Sequence, residues 1–95
     1  MDNKVSIKVC SYRSPQRYVV LRIVETALAS IRKTYPDFEV DIYEIRDVQE
    51  ILKITPVLIL PSLVINDRLV CTGCFPKTGE VIQWLLDSWE ESDIR

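Results

Sequence analysis

Leu60-Pro61-Ser62-Leu63-Val64-Ile65-Asn66-Asp67 is the stretch on which the fold of this chain turns. A proline opens an aliphatic, partly β-branched run, and two residues that tolerate a tight reversal close it. Leu69-Val70-Cys71 resumes the apolar run, so the segment predicts a hairpin with Asn66-Asp67 as its turn.

Working outward, Lys4–Cys10 alternates Val5, Ile7 and Val9 with Lys4, Ser6 and Lys8, the pattern of a strand with one more polar face. Ser14-Pro15 then predicts a helix start, the serine accepting from a first-turn amide and the proline suiting the first helical position. Val20, Ile23, Val24, Ala27, Leu28 and Ile31 form one apolar stripe at helical spacing. Arg32 and Lys33 fall in its last turn, where cations suit the dipole, and Pro36 lies just beyond. Phe38–Ile45 alternates as a second strand, and Asp47–Lys53 reads as a short helix closed off before Pro56. Thr78–Glu90 predicts a closing helix with Val81, Ile82, Leu85, Leu86 and Trp89 inward. A right-handed crossover makes the first two strands parallel, and the hairpin adds an antiparallel pair. The expected architecture is α/β: a four-stranded mixed sheet in the order β-α-β-α-β-β-α, flanked by helices.

The 95 residues suit one domain, 1–95, and the 47% hydrophobic content suits a packed core. Twelve basic residues face 14 acidic ones without a basic block, which argues against nucleic acid as the main partner. No apolar run is long enough for a bilayer, since Val57–Ile65 is short and holds Pro61, so no membrane partner is expected. The N-terminus lacks the basic-then-apolar layout of a signal peptide, and three cysteines make an odd number. A cytoplasmic protein with reduced thiols is the expectation. With no histidine, histidine-based acid–base or nucleophile chemistry is excluded. Three cysteines alone fall short of a closed tetrahedral metal set, and no cofactor is implied.

The element order resembles the thioredoxin/glutaredoxin superfamily over roughly residues 4 to 90. Pro61, Ser62–Ile65, Asn66-Asp67, Arg68–Thr72 and Gly73 carry the likeness. The nearest likeness is to small archaeal and bacterial redox-active-disulfide-type proteins. The resemblance implies that Pro61 is cis, the alternative being a trans proline that opens an edge strand. Pro56 is the lesser candidate for that role. The resemblance also places the two redox cysteines of the superfamily at Ser14 and Arg17, where this chain reads Ser14-Pro15-Gln16-Arg17. A serine hydroxyl cannot replace a thiolate in disulfide exchange, so the standard dithiol chemistry is absent there.

Two function classes follow. One is a non-catalytic module in a redox-related pathway, docking a peptide or an anion in a cis-proline groove lined by Arg13, Ser14, Arg17, Pro61, Ser62 and Gly73. Arg17 stands in a first turn where the dipole disfavours a cation, so a bound anion would relieve it. The other is an atypical thiol–disulfide oxidoreductase using Cys74 with Cys71 or Cys10. If extended, Cys71 and Cys74 would hold their Cα atoms about 10 Å apart, so a bridge needs a turn at Gly73. Against both stands the plain reading: a helix cap, two small core cysteines and an inert surface thiol. Asp37, Glu39, Asp41 and Glu44 read as a solvated strand face, and Trp84 and Trp89 as helix packing.

Overall fold

The computed structural model describes residues 4–55 and 60–93, with side chains described as far as Trp89. Its elements are β1 (Val5–Cys10), α1 (Ser14–Thr34), β2 (Val40–Ile45), α2 (Val48–Ile54), β3 (Ser62–Ile65), β4 (Arg68–Thr72) and α3 (Thr78–Asp93). They form one mixed sheet in the order β2-β1-β3-β4. β1 runs parallel to β2, and β3 is antiparallel to both β1 and β4. The expected α/β order and four-stranded sheet are both present.

Strand parity assigns each side of the sheet its cover. Val5, Ile7 and Val9 of β1 and Leu63 and Ile65 of β3 pack with Val20, Val24, Ala27, Leu28 and Ile31 of α1 and Val81 and Leu85 of α3. The other side is smaller: Cys10, Val64 and Ile51 of α2 form its buried centre. All four residues of β3 are buried because helices cover it on both sides, whereas β2, at the sheet edge, is mostly exposed. Burying the stripe of α1 contributes roughly 1.5–3 kcal/mol for each large aliphatic side chain.

Local chemistry explains the element ends. The β3–β4 hairpin turns at Asn66 and Asp67, with φ of 49° and 64°, the double positive of a two-residue turn. Asn66 Oδ1 accepts from Ser6 N at 2.8 Å, fastening the turn to β1. A bulge interrupts the β3–β4 register between Leu63 and Val64. Asp47 caps α2 by accepting from Gln49 N at 3.2 Å. At α3, Glu80 reaches back to accept from Lys77 N at 3.0 Å, half of a capping box.

Most boundaries shift by one to three residues, and two of the shifts change what a residue does. β2 begins at Val40 rather than Phe38, because Phe38 N donates to Tyr35 O in a turn. The Phe38 ring is instead buried edge-on against Trp89 at 5.1 Å. α1 begins at Ser14 with Arg13 as the capping residue, whose extended backbone makes no side-chain cap. Ser14 therefore lies inside the helix, and its expected capping bond is replaced by a different role described below.

Candidate functional site

The start of α1 is a closed polar network. Arg13 N donates to Ser11 Oγ at 3.1 Å, and Ser11 Oγ donates to Gln16 Oε1 at 2.7 Å, so Ser11 rather than Ser14 organises the turn. Arg17 is only 4% exposed. Its Nη1 donates to Ser11 O at 3.0 Å, its Nη2 to Ser14 Oγ at 3.2 Å, and its Nε to Glu44 Oε1 at 3.4 Å. The cation that the helix dipole disfavours is thus offset from within the protein, by Glu44 and a carbonyl. Glu44 makes this ion pair while its side chain stays 31% exposed, and Asp37, Glu39 and Asp41 are exposed as well. Within β2, parity sets Glu44 on the opposite side from Asp41.

Arg13, by contrast, is exposed, and with Tyr12, Gln16 and Leu60 it lines a cavity of about 180 Å³. This cavity joins the helix start to the opening of β3. The Leu60–Pro61 peptide bond is cis, as the resemblance implied. Pro56, the other proline considered for that position, lies outside the described residues. Ser62 is buried, its hydroxyl 3.0 Å from Thr72 Oγ1 across the β3–β4 pair.

Gly73 is tied to the cis-proline rather than to the cavity lining. Its N donates to Pro61 O at 2.9 Å, and its φ of 74° turns the chain sharply after β4. That turn brings Cys71 Sγ to 3.3 Å from Cys74 Sγ, with both present as thiols. The Cys71 thiol also contacts Cys74 O at 3.3 Å. Cys71 is buried against the main core, whereas Cys74 is exposed. Burial, then the hydrogen bond and charge of Cys74 and the charge of Glu80, push the Cys71 pKa up to about 12.

Cys10 is not part of this pair. It aligns with Ser62, and Ser62 with Thr72, whereas Cys71 aligns with Leu63. Alternation then puts Cys10 on the α2 side of the sheet and Cys71 on the α1/α3 side. Of the two partners considered for Cys74, the structure brings Cys71 to it, at 3.3 Å, while Cys10 lies in the separate cluster under α2. Burial also raises the Cys10 pKa, with Lys8 opposing weakly. Trp84 and Trp89 pack against the core, Trp89 meeting Tyr35 edge-on at 5.2 Å.

Among the described residues, no helix is long and apolar enough to cross a membrane. No group of three or more His, Cys, Asp or Glu among them could hold a metal ion. A comparison with curated proteins finds none that matches this chain. The thioredoxin-domain family model, Thioredoxin_3, matches residues 5–86, which span every strand and most of α3. With that match added to the sheet order, helix placement and hairpin described above, this chain belongs to the thioredoxin-domain family.

Proposed function

We propose that this thioredoxin-domain protein is a binding module for an extended, acidic peptide segment, held between the start of α1 and the opening of β3. The observation that carries this reading is the cavity of about 180 Å³ lined by Tyr12, Arg13, Gln16 and Leu60. Its walls suit such a segment. Tyr12 and Leu60 offer apolar surface, Gln16 a polar contact and Arg13 a fork for a carboxylate. The first turn of α1 holds no acidic residue, so its dipole adds to the attraction for an anionic side chain.

The helix start offers no reactive group. Ser14 and Arg17 hydrogen-bond to each other, and Arg17 is buried, so neither offers a nucleophile or a redox group. Binding there is a matter of shape and charge.

Selection from a displayed random-peptide library, followed by amide chemical-shift mapping, tests the reading. Acidic peptides that shift residues 12–16 and 60–73 are the expected result. Selected peptides that map elsewhere would overturn it. So would inorganic phosphate shifting the same amides with equal affinity, which would reduce the groove to a simple anion site.

A further inference from the structure

We propose that Cys71 and Cys74 form a reversible dithiol–disulfide site on the strand side of the groove, exchanging with disulfides of proteins or of low-molecular-weight thiols. The inference goes beyond peptide binding and stands without it, because the two sulfurs are not among the residues lining that cavity. Three features of the segment carry it. The sulfurs already lie 3.3 Å apart, whereas an extended chain would hold the two residues too far apart to bridge. Gly73, at φ 74°, makes the reversal that brings them together, and a glycine adopts it without a Cβ penalty. The pair is also asymmetric: one sulfur is exposed and one is shielded, which divides the work between them.

The chemistry balances as a two-step exchange. Cys74, as its thiolate, attacks one sulfur of an external disulfide RS–SR. A Cys74–SR bond forms, the S–S bond breaks, and RS⁻ leaves to take up a proton. Cys71 then gives up its proton and attacks Cys74 Sγ. The Cys71–Cys74 bond forms as the second RS⁻ departs. In sum, the protein dithiol is oxidised by two electrons and two protons, and one external disulfide is reduced to two thiols. The reverse sequence reduces the pair when thiols are in excess.

Roles follow from exposure. Cys74 meets the external partner, and Cys71 resolves the mixed disulfide from the core side. In the dithiol, the hydrogen bond and charge of Cys74 help hold Cys71 protonated. Once Cys74 carries the SR group, it bears neither a proton nor a charge, so both influences vanish when Cys71 must ionise. Shielding by the core and the charge of Glu80 persist, which makes resolution the slower step and one that quickens with rising pH.

Oxidised glutathione is the probe, with thiols alkylated afterwards and tryptic peptides weighed. Cleavage after Arg68 and Lys77 puts Cys71 and Cys74 on one peptide and leaves Cys10 on another. The expected result is loss of two hydrogens, about 2 Da, from the Leu69–Lys77 peptide, with Cys10 still alkylated and dithiothreitol reversing the loss. Cys71→Ser should trap a glutathione adduct on Cys74, and Cys74→Ser should give neither adduct nor bridge. Cys74 is exposed, so the second variant is expected to fold, with circular dichroism as the check. Three alkylated thiols after oxidation, a bridge that includes Cys10, or an adduct persisting on Cys74 in the parent would each overturn the proposal.

Discussion

Arg17 Nε stands 3.4 Å from Glu44 Oε1, an ion pair that joins the first turn of α1 to the edge strand β2. The guanidinium side is 5% exposed and the carboxylate side 31%, so the pair is shielded on one side only. With the bonds to Ser11 O and Ser14 Oγ, it makes Arg17 a structural residue of the helix start.

Arg17→Met keeps the bulk of the stem but removes the charge and all three bonds. The loss expected is about 2–3 kcal/mol, because a buried carbonyl and a half-shielded carboxylate lose their partner. Arg17→Lys keeps the charge without the planar fork and should cost about 1–2 kcal/mol. Urea denaturation measures both. Unchanged midpoints would show that the network contributes nothing to stability.

Cys71 ties stability to alkaline pH. Its folded pKa of about 12 exceeds the ordinary thiol value of 9.0, so the folded state retains a proton that the unfolded state has released. Between those values the unfolded chain binds fewer protons, and stability falls as pH rises. Below pH 9 the contribution is whole. Under reducing conditions, the parent should therefore lose stability more steeply than Cys71→Ser from pH 9 upward, with parallel curves below. Parallel curves throughout would contradict the assignment.

The hairpin offers a stabilising change. Asp67 holds a φ of 64°, which a residue with a Cβ adopts at a cost, and its ion pair with Lys8 spans 3.5 Å at an exposed position. Asp67→Gly should raise stability by about 0.5 kcal/mol, the relief slightly exceeding the lost pair and the added freedom of the unfolded chain. Asn66→Ala should lower it by about 1–2 kcal/mol, since Ser6 N loses its acceptor. Thermal unfolding checks the opposite signs.

Arg13 is the residue through which the groove is expected to read charge. For a peptide selected as above, Arg13→Glu should weaken binding roughly tenfold or more, about 1.4 kcal/mol. Its urea midpoint should stay at the parental value, because the side chain is exposed. Calorimetric titration gives the first number. An unaltered affinity would remove Arg13 from the binding surface.

Much of the fold was legible because its signals are local. The stripe from Val20 to Ile31 needs only helical spacing, and Asn66-Asp67 needs only the tolerance of both residues for positive φ. Phe38 was misplaced because alternation cannot distinguish a strand residue from a ring swung into the core by the preceding turn. At the site, the cis bond at Pro61 and the position of Gly73 followed from the family likeness rather than from the residues alone.

The partnership of Arg17 was hidden because its acceptor lies 27 residues away, across a parallel strand pair. A charged side chain in a first turn reads as solvated until the register places Glu44 beside it. The separation of Cys10 from Cys71 was closer to hand. Cys10 shares parity with Lys8 and Ser6, not with Val9. Nothing in the residues themselves states the turn angle at Gly73, on which the approach of the two sulfurs depends.

The sheet order has a consequence for self-association. With β1 and β3 in the centre, β2 and β4 present strand edges to any second copy of the chain. The two edges are guarded differently. β2 carries the exposed Asp41, so two copies meeting there would have to accommodate its charge. On the β4 side, the bulge opposite Leu63 and Val64 breaks the even ladder that an added strand would need, and Arg68 adds a charge. Each edge thereby carries a feature that opposes the addition of a further strand.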